Sequence, residues 1–210
     1  MRKFDLDMRL KYGSLLAGTD EAGRGPLAGP VVAAAVLFDP DTEIPGVADS
    51  KTLKEHQREK LFDIICEKCV SYAITVTGVE VIERMNILAA SLSSMKSCAE
   101  TILPLPGVVL VDGNKIFQFS GKAVPIIKGD SKSLSIAAAS ILAKVTRDRI
   151  MYSLHDLFPV YGWDHNKGYP TKAHFKAIRE YGVTLFHRRS FLRKFFSLQG
   201  EIDFGGENAG

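Results

Sequence analysis

Two adjacent acids, Asp20 and Glu21, end an apolar run and are followed at once by Gly23-Arg24-Gly25. Residues 15–17 before them and 30–38 after them read as β-strands, which places the pair at a strand end. Neighbouring side chains in a regular strand point to opposite faces, so for both acids to serve one centre the backbone is expected to turn at Ala22-Gly23. A plain hairpin with two solvated acids is the alternative, because Asp and Gly are ordinary turn residues. Two more acids occupy similar places. Val108-Val109-Leu110-Val111 is the short continuous apolar run of a strand buried on both faces, and it delivers Asp112. A strand over 124–127 runs into Lys128-Gly129-Asp130, just before a helix with Ser131 or Ser133 near its start. Taken singly, Asp112 and Asp130 read equally well as turn or capping residues. Their common placement argues for convergence, since ligands gather at the carboxyl ends of strands in open α/β sheets.

Two carboxylates ~4 Å apart repel by about 4 kcal/mol at an effective dielectric of ~20, so a cluster of four requires positive charge among them. Two divalent cations would neutralise it, and all-oxygen ligation selects Mg²⁺ or Mn²⁺ over zinc, with calcium still compatible. Two such ions ~3.5–4 Å apart activate a water and stabilise the leaving oxygen of a phosphodiester. The chemistry is then phosphoryl transfer, in the form of nucleic-acid hydrolysis.

The elements that must position these acids alternate. A polar loop leads to a helix beginning near Leu53, capped by Ser50 or Thr52, with Arg58 on its solvated side. A strand over 72–76 follows, then one helical pattern over 79–102 ended by Pro104 and Pro106. Leu134, Ala137, Ile141, Leu142, Val145 and Ile150 mark a long helix. Alternation of this kind predicts an α/β architecture, with helices on a mixed sheet. The 210 residues, 46% of them hydrophobic, are enough for one domain with appendages. A net charge of +3 is only mildly basic, but Lys167, Lys172, Lys176, Arg179, Arg188, Arg189, Arg193 and Lys194 concentrate it near the C-terminus, where an anionic partner fits. Three scattered cysteines argue for a reducing compartment, the cytoplasm, and Cys66-x-x-Cys69 has no second pair to make a zinc site. No apolar run approaches the ~20 residues of a membrane span, and residues 1–10 do not form a signal peptide, so a soluble, unprocessed chain is expected. Residues 199–210, Gly-rich and polar, are expected to form a disordered tail.

GTDEAGRGPLAGPVV from Gly18, Asp49-Ser50-Lys51, Val111-Asp112-Gly113, Lys128-Gly129-Asp130, ASILAKVTRDR from Ala139 and HNKGYPTKAH from His165 closely resemble ribonuclease HII, in order, over about residues 16–191. The resemblance implies a ribonuclease H-like mixed β-sheet flanked by helices, as a single catalytic domain over 1–198 with a C-terminal helical extension from about 155. It implies metal-dependent endonucleolytic hydrolysis of the RNA strand of RNA/DNA hybrids, and incision at single ribonucleotides in duplex DNA. By the same resemblance Asp20, Glu21, Asp112 and Asp130 are the catalytic, metal-binding acids, with Asp20 shared by both ions. Gly23, Arg24 and Gly25 read the 2′-hydroxyl largely through backbone groups, Tyr169 packs on the sugar of the following deoxynucleotide, and Lys51 contacts a substrate phosphate. A monomer is expected.

Two other readings remain open at this point. The sister family, ribonuclease HIII, lacks the glycine-arginine-glycine segment and carries an N-terminal extension. A module of another class would hold metal and bind hybrids without cutting them. Lys144 and Arg147, one turn apart, face either the duplex or a salt bridge to Asp148 or another acid. His165, His174 and His187 read as structural or substrate-side, imidazole being a poor ligand for Mg²⁺. Leu192, Phe195 and Phe196 have the L-x-x-F-F spacing of a sliding-clamp-binding peptide, with Arg189 where glutamine is expected; the alternative is an amphipathic terminal helix that buries those rings.

Overall fold

The computed structural model describes residues 1–13, 15–47 and 53–197, and within these not the side chains of Lys194 and Phe195. Lys51, the expected caps Ser50 and Thr52, and the expected tail lie outside the described residues. The chain opens with a helix that the sequence pattern did not announce, α1 (Arg2–Tyr12). β1 (Leu16–Ala22) and β2 (Val31–Leu37) follow, then α2 (Glu55–Lys68), β3 (Ser71–Thr77), α3 (Val79–Met85), α4 (Ile87–Thr101), β4 (Val108–Asp112) and β5 (Lys122–Ile126). A 3₁₀ turn at Gly129–Ser131 leads into α5 (Leu134–Leu157), and α6 (Trp163–Asn166), α7 (Lys172–Tyr181) and α8 (Arg189–Ser197) complete the described chain.

The five strands form one mixed sheet in the order β3-β2-β1-β4-β5. β1 runs antiparallel to β2 and parallel to β4, so the acid-bearing strand is central and its carboxyl end lies beside that of β4. β2 is buried along its whole length because it is covered on both faces. Val32, Ala34 and Val36 pack with Ile141, Leu142 and Val145 of α5. Ala33, Ala35 and Leu37 pack with Met95, Cys98 and Ala99 of α4. The alternation of period two thus sorts one apolar run between two helices. Gly18 lets α5 lie directly on β1: a Cβ there would come within 2.3 Å of the Ile136 backbone nitrogen.

Three boundaries depart from the sequence expectations. The pattern over 79–102 is two helices, broken at Asn86 (φ 69°), whose side-chain oxygen accepts from the Leu88 and Ala89 N–H groups at 3.0 and 3.1 Å. Asparagine tolerates positive φ and is a strong N-cap, so it restarts the helix in a new direction. α2 begins after Lys54, where the Gln57 side chain accepts from the Lys54 N–H at 2.8 Å. The fifth strand begins at Lys122, two residues earlier than expected.

The start of α5 is tied down from two sides. Ser133 is its N-cap, accepting from the Ile136 N–H at 3.2 Å. Asp5, buried on α1, accepts from both the N–H and the hydroxyl of Ser135 at 2.9 Å. A carboxylate at a helix N-terminus satisfies orphan donors and opposes the helix dipole. Asp5→Ala is expected to cost about 1–2 kcal/mol, read as a fall in melting temperature of roughly 4 °C. Thermal denaturation with an unchanged midpoint would show that α1 does not hold α5.

Candidate active site

β1 stays regular through both acids. Asp20 pairs in register with Ala34 and Glu21 with Ala33, and the turn comes only at Gly23 (φ 97°). The turn thus falls within the expected Ala22-Gly23, after the acids and not between them, and the two side chains leave opposite faces of the strand. Asp20 lies on the α5 side, beside the Ser140 hydroxyl, and is buried. Glu21 lies on the α4 side, where the buried Ser91 hydroxyl faces its carboxylate, and its Oε1 accepts from Arg24 Nη1 at 3.2 Å. Both feel Asp112, because a strand's end is open to both of its faces. Asp112 Oδ1 accepts from the Gly129 N–H at 2.7 Å, which fastens the end of β4 to the turn carrying the buried Asp130.

The electrostatics follow from this crowding. Burial, then the Glu21 and Asp112 carboxylates, hold Asp20 well above the ordinary carboxylate range. Burial also raises Glu21, with Arg24 opposing and Asp112 adding to the rise. Among the described residues no group of three or more His, Cys, Asp or Glu is arranged to hold a metal ion, so the four acids share one end of the sheet without closing into a finished ligand set. Like charges separate, and here Glu21 is drawn to Arg24 while Asp112 is drawn to Gly129. The donors are all oxygen, and Asp20 and Glu21 resist bare negative charge. Both properties suit a hard divalent cation.

Beside Glu21 a cleft of about 460 Å³ opens, walled by Gly23, Arg24, Gly25, Arg58, Lys144 and Tyr169 among others. Tyr169 is 42% exposed, and a Cβ on Gly25 would lie 3.7 Å from its ring. The expected substrate residues 23–25 and 169 are thus brought together. Arg58, expected on the solvated side of its helix, is half-buried on this wall instead. Lys144 keeps the expected salt bridge, 2.6 Å from Asp148, and also reaches the cleft.

The residues behind the cleft wall were the least visible in sequence. Arg147 neither faces a duplex nor pairs with Asp148: it is 1% exposed and donates to the carbonyls of Pro30, Ala28 and Lys167 at 3.0–3.1 Å. Arg188, one of the basic residues concentrated near the C-terminus, is wholly buried and so does not face an anionic partner. It donates to the carbonyls of Gly23 at 2.7 Å, Arg24 at 3.2 Å and Gly29 at 2.8 and 3.0 Å. Burial and the Arg147 guanidinium press its pKa down to about 9, which leaves it charged at neutral pH. Their only signal in sequence was an arginine inside an otherwise apolar helical face and another in a basic run.

Of the two roles left open for them, structural or substrate-side, the burial of His174 and His187 fits the structural one. The Thr184 N–H donates to His187 Nδ1 at 3.0 Å, so a neutral His187 carries its proton on Nε2 and donates to His174 Nε2 at 3.2 Å. His174 then donates from Nδ1 to the Tyr169 carbonyl at 3.0 Å, while Trp163 Nε1 also donates to its Nε2 at 3.1 Å. Burial lowers both, His187 to about 3, so this relay stays neutral and holds the Tyr169 backbone. His165 lies exposed, 3.3 Å from Asp164.

The family model for Ribonuclease HII matches residues 17–194. The ribonuclease HII of Clostridioides difficile (strain 630) is 51% identical over 178 residues, which cover 85% of this chain and 70% of that protein. Among solved structures, ribonuclease H2 from Pyrococcus horikoshii OT3 has a TM-score of 0.75 at 27% identity, covering 90% of this chain and 100% of its own. The structure of the PCNA:RNase HII complex from Archaeoglobus fulgidus gives a TM-score of 0.69 at 29% identity, over 83% of this chain and 93% of that one.

A raised carboxylate pKa carries a stability prediction. A group whose folded pKa lies above its unfolded value destabilises the protein as pH rises through that interval, and below the unfolded value it contributes nothing. Asp20→Asn should therefore raise the melting temperature of the metal-free protein at pH 7.5, and the gain should vanish towards pH 4. Added Mg²⁺ or Mn²⁺ should reverse the order, stabilising the wild type more. Differential scanning fluorimetry across pH checks this, and a variant less stable at neutral pH without metal would contradict it.

Proposed function

The chain belongs to the ribonuclease HII family, hydrolytic endoribonucleases acting on RNA/DNA hybrids, and we propose that it also incises duplex DNA at single embedded ribonucleotides by two-metal-ion hydrolysis. Asp20, Glu21, Asp112 and Asp130 would hold the two ions, Mg²⁺ or Mn²⁺. The observation that carries this reading is continuity: within six residues, from Asp20 to Gly25, the chain supplies two of the acids and one wall of the cleft.

Bound divalent ions supply an activated water and stabilise charge on the leaving oxygen. The chain's own side chains account for the remaining parts. Arg58 and Lys144 line the cleft and attract phosphates, a sequence-independent attraction that suits a backbone reader. Gly25 exposes backbone to a sugar with only the Tyr169 ring beside it, and that ring offers the next sugar a flat apolar face. The 2′-hydroxyl separates RNA from DNA, and a site built to hydrogen-bond a hydroxyl rejects its absence by about 10⁴–10⁵. Arg24, paired with Glu21, joins this reader electrostatically to the acids.

The match to the ribonuclease HII model, together with an intact Gly23-Arg24-Gly25 segment, favours this reading over the sister family. A non-cutting module is disfavoured by the retention of all four acids at one sheet end. Leu192 is fully buried and Phe196 packs in the same cluster, so clamp binding through that spacing requires those side chains to leave the core.

The test is a DNA duplex with one ribonucleotide against an all-DNA control, with Mg²⁺ and with Mn²⁺. Cutting of the first alone is expected. Asp112→Asn keeps an oxygen able to accept the Gly129 N–H, so it should keep its melting temperature and lose activity on the order of 10³-fold. Full activity in that variant would remove Asp112 from the set.

A further inference from the structure

We propose that Arg188 is a positioning residue that sets the direction of the backbone donors in the Gly23-Arg24-Gly25 loop, and thereby selectivity for a ribonucleotide. The inference rests on the reading of that loop as the 2′-hydroxyl reader. In a trans peptide the carbonyl of one residue and the N–H of the next point in opposite directions. The single cis bond among the described residues is Leu103-Pro104, so both peptides after Gly23 and Arg24 are trans. Their two carbonyls are turned inward onto the Arg188 guanidinium, at 2.7 and 3.2 Å. The N–H groups of Arg24 and Gly25 must then point away from Arg188, on the side where both residues line the cleft. Neither N–H has an acceptor among the described residues. Two adjacent, unpaired donors facing a polar cleft suit a sugar hydroxyl or a phosphate oxygen.

Arg188 suits this role through its shape. Its planar fork reaches three carbonyls at once, those of Gly23, Arg24 and Gly29, and it makes no ion pair with a carboxylate among the described residues. A lysine would carry the charge but not the fork. The arginine is itself fixed from the C-terminal part of the chain: its N–H donates to the Leu27 carbonyl at 2.7 Å, and the preceding His187 forms a β-bridge with Ala28. The space behind Gly23 is already filled, since a Cβ there would lie 2.2 Å from Arg147 and 2.7 Å from the Pro30 oxygen. The loop is held between two buried guanidiniums, one on its carbonyls and one behind its turn.

The experiment compares Arg188→Lys and Arg188→Met with the wild type in Mg²⁺. The KM for a duplex with one ribonucleotide and the Ki of the all-DNA duplex as a competitor are read in one assay. The ratio Ki/KM does not depend on how much of a preparation is folded, so a variant that folds poorly is still informative. A ratio lowered about 10-fold in Arg188→Lys, and at least as much in Arg188→Met, supports the proposal, the loss being that of misdirected hydrogen-bond donors. A purely structural role would lower the yield of active enzyme and the melting temperature while leaving the ratio at the wild-type value, and that result overturns it. If the wild type itself gives a ratio near unity, the reading of the loop as a 2′-hydroxyl reader fails, and this inference fails with it. A high wild-type ratio retained in both variants overturns the role of Arg188 alone.

Discussion

Negative charge placed where water is excluded, at the carboxyl end of β1, is the condition to which the rest of the molecule responds. Asp20 is buried between β1 and α5, and Glu21 occupies the other face one residue later. A central strand is the place where such a demand can be met, because helices cover both faces and each offers a hydroxyl, Ser140 from α5 and Ser91 from α4. Those hydroxyls are too weak to cancel two charges, and Arg24 adds a partner for Glu21 only. The carboxylates remain above their ordinary range. A fold that keeps such a cost in a rigid position holds it for a function, since strain at a site persists only where the surroundings enforce it.

Enforcement comes from the helix packed on that strand. Gly18 leaves out a side chain that would hold α5 away from β1, and the Ala137-Ala138-Ala139 stretch keeps the helix surface low. The start of α5 is fixed by Ser133 and by Asp5, and the turn preceding it carries Asp130. The Gly129 N–H then binds Asp112. Caps and carboxylates thus belong to one connected set of hydrogen bonds, in which the start of a helix and the end of two strands fix one another.

The acids, the buried β4 and the Ser133 cap were legible because each rests on a local rule: a strand end, a continuous apolar run, a hydroxyl ahead of an apolar helix. Other features depend on partners far along the chain. Asp5 becomes a cap only through Ser135, 130 residues away, and apolar and charged residues alternate from Phe4 to Tyr12 in α1, the period of a strand rather than of a helix. Arg188 meets Gly23 across 165 residues. Asn86 was legible in principle, as an amide able to take positive φ inside a helical pattern, but the uninterrupted apolar spacing around it masks the break. The turn at Gly23 falls where it was expected, but the reason for expecting it does not hold. It assumed that a shared centre must lie on one face of a strand, whereas past the last residue of a strand both faces meet.

That geometry bears on how chemistry and sugar selection would be coupled in the proposed function. Had β1 bent at the acids, the loop would begin at an already irregular segment and its orientation could drift relative to the carboxylates. With the strand regular to Ala22, the turn at Gly23 starts from a fixed register, and Arg188 and Arg147 then hold it from behind. The backbone donors and the carboxylates are therefore referenced to the same strand rather than to each other through a flexible hinge. On the proposed reading of the loop, the backbone that meets the sugar and the acids that meet its phosphate share one rigid reference, and this matters because misplacement of reacting groups by even ~1 Å is costly.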